Sequence, residues 1–194
     1  YRRYCWSCSL SLLGYFCPDC YLVKPMIHSC LTGWTPTVEY YDCRFEVLRK
    51  PLGFERGAEI LSDDFEAAHA YVEIENKIVS VGRAHLIAAD SDGSQADHAG
   101  PGAAHCPAFG PLSDEENRPA IQIRQMGTLT EHRGKGYAAE VLAKLELSFD
   151  AKVGFLQARI GAIDFYQSQG WFIIDEEYSI SGIGPHRSMM KKFS

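Results

Sequence analysis

This sequence has no basic block. Asp and Glu outnumber Lys and Arg by 25 to 19, and the formal net charge is −6. A surface of that sign does not gather on phosphate backbones or anionic bilayers, so neither nucleic acid nor membrane is expected as a partner. No apolar run is long enough to span a bilayer. No secretory leader is recognisable, because cysteines flank the apolar run Leu10–Phe16 and no small-residue cleavage site follows it. The seven cysteines, an odd number, cluster near the N-terminus and do not make a disulfide framework, so a reducing, cytoplasmic setting is expected. Internal repeats are also missing. What remains is 194 residues of ordinary apolar and charged content, enough for one domain with its own core.

The most informative stretch is Thr130-Glu131-His132-Arg133-Gly134-Lys135-Gly136-Tyr137-Ala138-Ala139. A strand-like run, Ile121–Leu129, leads into it. A helical pattern leads out, with Ala138, Val141, Leu142, Leu145 and Phe149 on one face and Glu140 and Lys144 on the other. Strand, glycine turn and helix N-terminus together make an anion seat: the first helical N–H groups lack partners and glycine lets a ligand approach the backbone. Arg133 and Lys135 add positive charge. A Walker loop is excluded, since the glycine spacing and the Lys-Ser/Thr pair are missing. A dinucleotide fingerprint is nominally met by Gly134, Gly136 and Ala139, but no carboxylate follows between Phe155 and Gly161. The third pattern, Arg/Gln-x-x-Gly-x-Gly/Ala, is met by Arg133, Gly136 and Ala138. It resembles the pyrophosphate loop of the GCN5-related N-acetyltransferases (GNAT).

Further on, Ala158-Arg159 precedes Ala162-x-x-Phe165-Tyr166 and Gly170-Trp171, which resembles the same family's later motif. Leu48-Arg49-Lys50-Pro51-Leu52-Gly53 and Pro185-His186 resemble one bacterial branch, whereas Gln157 stands where many relatives carry asparagine. The resemblance implies a mixed, mostly antiparallel α/β sheet flanked by helices, with a β-bulge in the central strand. It implies acetyl-CoA as co-substrate and a primary amine of a small molecule or peptide as acceptor. It places Met126, Gly127 and Thr128 beside the pantetheine arm, and Arg133, Gly134, Lys135, Gly136, Tyr137 and Ala138 around the pyrophosphate. Tyr166 would be the proton donor to the departing sulfur. The base is not named: Glu131 is expected to face solvent, His186 is read as structural, and a water chain serves equally well. Two rival readings stand beside transfer, a non-catalytic acyl-CoA sensor and a zinc-dependent interaction module at the N-terminus. A homodimer is compatible with the sequence but not implied by it.

Along the chain, residues 1–25 form a cysteine-rich tail and residues 26–194 the acetyltransferase-like domain. Cys5, Cys8, Cys17 and Cys20 pair like zinc knuckles, yet Ser9 and Tyr21 stand where glycine usually follows, so no metal site is assigned. Ile27–Leu31 reads as a strand. Thr35-Pro36 reads as a helix start, with Val38, Tyr41, Phe45 and Leu48 as its inner face and Pro51 and Gly53 as its stop. Phe54–Glu66 is acidic, with room for a second helix. Glu59, Asp63, Asp64 and Glu66 there either face an amine or form a solvated surface. Tyr71–Glu75 and Ile78–Ile87 read as a hairpin turning at Asn76. Ala88–Arg118, rich in small and polar residues, reads as a long mobile insertion whose His98, His105 and Cys106 are exposed. The alternation of Ile121 and Ile123 shifts phase at Gln125-Met126, the mark of a bulge. Val153–Arg159 is the next strand, Ile160–Gln169 a short helix, and Trp171–Ile174 pairs with Ser188–Phe193.

Overall fold

The computed structural model describes residues 24–95 and 105–193. Its elements are β1 (Met26–Cys30), α1 (Val38–Arg44), β2 (Ala68–Ile74), β3 (Lys77–Leu86), β4 (Ala120–Thr128), α2 (Tyr137–Glu146), β5 (Val153–Arg159), α3 (Ile163–Ser168), β6 (Phe172–Ile173), β7 (Tyr178–Ile180) and β8 (Gly184–Lys192). The strands form one sheet in the order β1-β2-β3-β4-β5-β8-β6, with β7 paired to β8. Only β4 and β5 run parallel. This is the mixed, mostly antiparallel α/β sheet the motifs implied. No helix among the described residues is long and apolar enough to cross a membrane.

Alternation along the central strands sorts side chains to two faces. Ile121, Ile123, Leu156 and Ala158 pack with Val141, Leu142 and Leu145 of α2. Ala120, Val153 and Phe155 face the other way and pack with Phe109 and Leu112. Gly82 lets α2 sit close, since a Cβ there would meet Leu145, Met126 and Val141 at 2.9 Å. The β2–β3 hairpin closes on Glu75 and Asn76, both left-handed (φ 51° and 62°), the conformation of a two-residue turn that matches strand twist.

Three expectations are corrected. First, the α1 region begins at Val38, capped by Thr37 rather than Thr35, and passes into a π-helical stretch at Phe45–Arg49. The inner face of α1 is Tyr40, Cys43 and Arg44, continued by Phe45 of the π-helical stretch, while Val38 is 71% exposed. Second, Phe54–Glu66 holds only a single 3₁₀ turn, Asp64–Glu66. Third, residues 88–118 are folded onto the sheet wherever they are described. Phe109 is buried and stacks on Phe155 at 4.9 Å, and Arg118 donates to the carbonyls of Ala88 (3.0 Å) and Ser91 (2.8 Å). Cys106 is buried too, whereas His105 is exposed as expected. Aromatic packing and one arginine thus hold a segment that has no periodicity to show. Strand β7 was also unforeseen; it extends the edge as a hairpin with β8. The cysteine pairs of the tail, like His98, lie outside the described residues.

Candidate active site

The expected bulge is present. Opposite β3, Val81 pairs with Gly127 and Arg83 with Arg124, so Gln125 and Met126 together face Gly82. Gln125 takes a left-handed φ of 55°. Arg49, from the end of the π-helical stretch, donates to Gln125 Oε1 at 3.2 Å and clasps the bulge. Gly127 is required where it stands, because a Cβ would collide with Val47 of that stretch.

Strands β4 and β5 pair only at Ala120–Val153, Ile121–Gly154 and Gln122–Phe155. Beyond those pairs they part, and a cleft of about 640 Å³ opens between them. Met126, Gly127 and Thr128 line it from β4. Thr128 is fixed by a 2.8 Å hydrogen bond between its hydroxyl and that of Ser80, and its carbonyl accepts from Arg133 Nε at 3.2 Å.

The glycine loop closes one end. Gly134 and Gly136 are left-handed (φ 72° and 86°), and no atom lies within 4 Å of where their Cβ would be. That open space is a backbone cradle. Gly136 caps α2 without a side-chain bond, and the first helical bond is Glu140 N–H to Gly136 O. The N–H groups of Tyr137, Ala138 and Ala139 therefore have no intrahelical acceptor and carry the positive end of the helix dipole. Arg133 and Ala138 line the cleft, while Gly134, Lys135, Gly136 and Tyr137 form the turn beside it. Glu131 faces solvent and pairs with Lys77 at 3.1 Å.

Tyr166 enters the cleft from α3, next to Phe165, Ala162 and Ala158. Its ring lies edge-on to Phe165 (5.0 Å) and Trp171 (6.3 Å), and Trp171 is held by Glu146 through a 2.8 Å hydrogen bond. Burial pushes the Tyr166 phenol well above its ordinary pKa, so it holds its proton. His186 also lines the cleft, buried, with Nδ1 2.8 Å from the Gly184 carbonyl. That carbonyl can only accept, so Nδ1 carries a proton.

The acidic residues before β2 do not enter the cleft. Asp63 and Asp64 are buried in an ion cluster: Arg44–Asp64 at 2.9 Å, Arg83–Asp63 at 2.7 Å, Arg83–Asp64 at 3.0 Å and Arg124–Asp63 at 3.6 Å. Glu59 is buried beside them and only Glu66 is exposed, so the choice between an amine-facing and a solvated surface was wrong for three of the four. The arginines that answer them are far away in sequence, on α1, β3 and β4. Two histidines share this cluster. Burial holds His69 down to about 4, and burial with Arg83 and Arg124 holds His85 down to about 3, so both are neutral near pH 7. Sequence reasoning also missed Arg49, Arg124 and Arg159 as cleft residues. The available signal, for Arg124, was polar alternation: Gln122 and Arg124 alternate with Ala120, Ile121 and Ile123 in the buried first half of β4.

Solved structures share this architecture. A Lactobacillus plantarum protein assigned as an N-acetyltransferase superposes with a TM-score of 0.60 at 15% identity, over 88% of this chain and 99% of its own. Ard1 from Thermoplasma volcanium gives 0.58 at 14%, over 89% and 99%. An acetyltransferase from Bacillus subtilis, solved in complex with CoA, gives 0.50 at 12%, over 88% and 100%. No family model and no curated sequence matches the chain. The fold is that of the GNAT acetyltransferases; identities this low speak to fold alone.

Proposed function

We propose that this chain transfers an acetyl group from acetyl-CoA to a primary amine of a small molecule or peptide. The observation that carries this reading is the splay of β4 from β5 at the bulge, with an anion cradle at one end and a buried tyrosine in its wall. The cradle fits a pyrophosphate: two glycines leave room, three helical N–H groups lack partners, and Arg133 and Lys135 supply charge. The parted edge of β4 offers backbone groups at Met126–Thr128 to a pantetheine arm, much as a sheet edge accepts a strand.

Acetyl-CoA supplies the activated acyl group. The residues of the chain then have three tasks. Backbone N–H groups at the bulge polarise the acyl oxygen and stabilise the negative charge that develops there. The apolar wall of Ile123, Leu156, Ala158 and Phe165 excludes water. Tyr166 presents its O–H to the sulfur. The amine nitrogen bonds to the acyl carbon, the C–S bond breaks, and the sulfur leaves with the electron pair and takes the Tyr166 proton. The nitrogen gives a proton to water, and water restores Tyr166. A phenol is a weak acid in water, but the same dry surroundings that raise its pKa also deprive the thiolate of solvation, so the transfer is not penalised twice.

Incubating the full chain with acetyl-CoA and a panel of primary amines, with thiol release as readout, tests the proposal. Turnover with at least one amine of the panel is expected. Coenzyme A binding by calorimetry with no turnover across the panel would instead describe an acyl-CoA sensor.

A further inference from the structure

The cleft opens through both faces of the sheet, and alternation along the strands assigns its lining to one face or the other. Leu156 and Ala158 share the first face with Tyr166 and Phe165 of α3. Gln157 and Arg159 lie on the second, with their β8 partners Ser188 and His186. Tyr178 of β7 pairs with His186, and its hydroxyl lies 3.0 Å from that of Ser188, so Tyr178 and, two residues on, Ile180 belong to the second face. Gln157 is bonded to Gln122 at 2.8 Å across the strands, and Arg124, two residues on, pairs with Arg83. The second face thus continues to Val81 and to the π-helical stretch packed on it through Val47. On the acetyl-transfer reading the sulfur leaves toward Tyr166 on the first face, so the amine reaches the acyl carbon from the second.

The charged groups of that second mouth are held by the chain itself. Arg49 donates to the Ala58 carbonyl (3.0 Å) and to Gln125, and Arg124 to Gln122 (2.6 Å) and the Gln95 carbonyl (2.9 Å), with Asp63 at 3.6 Å. His186 donates to the Gly184 carbonyl, and Arg159 is engaged as well. Beyond them the mouth is apolar, with Leu48 on one side and Ile180 and Ile183 on the other. Ile183 is unusual for its place. It stands between Gly182 (φ 74°) and Gly184 (φ 109°), in a turn closed by its own N–H to the Ile180 carbonyl at 3.0 Å. Polar residues are the rule in such turns, yet this one puts a half-buried isoleucine in the cleft lining.

Building on the acetyl-transfer reading, we propose that the acceptor is a monoamine with an apolar body, an alkyl- or arylalkylamine, whose chain lies between Leu48 and the Ile180–Ile183 turn. Each methylene seated there leaves water for an apolar surface. A second ammonium on the acceptor would lose hydration without a counter-ion, because no Asp or Glu is among the described residues that line the cleft.

The test uses the full chain with acetyl-CoA and the series n-propylamine to n-hexylamine, whose members share one nucleophile and differ only in methylene count. The value of kcat/KM is expected to rise by about 4-fold per methylene, the factor for one buried CH₂. Hexylamine should exceed 1,6-diaminohexane, the same chain with a second ammonium, by at least about 10-fold. Ile183→Ser changes a half-buried turn residue. It should flatten the series to less than about 2-fold per methylene, with coenzyme A affinity by calorimetry retained. If that variant fails to fold, the series on the wild-type chain decides alone. A flat or falling series, or a diamine acetylated as well as hexylamine, would overturn this inference and leave acetyl transfer standing. So would turnover with other amines and none with this series. Lost coenzyme A affinity in Ile183→Ser with the slope intact would overturn it too, because the turn would then serve the coenzyme. Coenzyme A binding with no amine acetylated would sink the transfer reading and this inference with it.

Discussion

Gly136 precedes α2 at φ 86° with empty space where a side chain would stand. Aspartate visits that left-handed conformation at a cost of about 1–2 kcal/mol, so Gly136→Asp should lower the melting temperature by several degrees and leave the protein folded. Its carboxylate would occupy and repel the anion seat. Coenzyme A affinity by calorimetry should fall by about 100-fold or more, and wild-type affinity would show the loop to be misassigned. Tyr166 poses the complementary question. Its ring packs between Phe165 and Trp171, and Tyr166→Phe keeps that packing while removing only the hydroxyl. Turnover should drop by about 10²-fold, the scale of a lost general acid, with coenzyme A affinity and melting temperature preserved. If the variant matches wild type when chemistry limits the rate, the tyrosine is only a core residue. The glycine cradle and this tyrosine were legible in the sequence, because each sits at a fixed spacing within one strand–turn–helix unit. The arginines of the cleft were not, because strands and helices far apart in the chain bring them together.

At the scale of elements, the 88–118 segment departs most from its sequence. A chain without periodicity gives no hint of where it packs, yet Phe109 is 1% exposed against Phe155. Truncating a buried phenylalanine costs about 3–5 kcal/mol, so Phe109→Ala should lower the unfolding free energy by that order in urea titration. A mobile loop would show no loss. The Gly93 and Gln95 carbonyls of this segment also accept hydrogen bonds from Gln157 and Arg124, two residues that line the cleft. The same variant should therefore reduce acetylation more than coenzyme A binding. The bulge is a different case: the phase shift at Gln125-Met126 was visible, since a period-two pattern records each residue that breaks it.

For the whole molecule, the buried ion cluster couples stability to pH. His69 and His85 are neutral in the folded state, with pKa values lowered from 6.5 to about 4 and about 3. Unfolded, each takes up a proton near its ordinary pKa. The unfolded chain then binds more protons than the folded one, so their contribution is fully present above about pH 6.5 and is lost as pH falls through the window down to about 4. From pH 7.5 to 5.5 each histidine should cost up to about 1.4 kcal/mol, measured as the unfolding free energy in urea. A flat profile across that window would show that water reaches both rings.

The sequence alone determined the strand–glycine loop–helix unit, the bulge, the helix that bears Tyr166 and the α/β class. Each of these is local: hydrophobic period, glycine position and motif spacing lie within a few turns of chain. Only the tertiary structure decided that Asp63 and Asp64 point inward to Arg44 and Arg83 instead of toward an amine, and that the unpatterned segment roofs the second face of the sheet. It also decided that arginines from three separate elements converge on one cleft. Those outcomes depend on which distant groups meet in low dielectric, where a buried charge must find its partner, and no local pattern encodes that meeting.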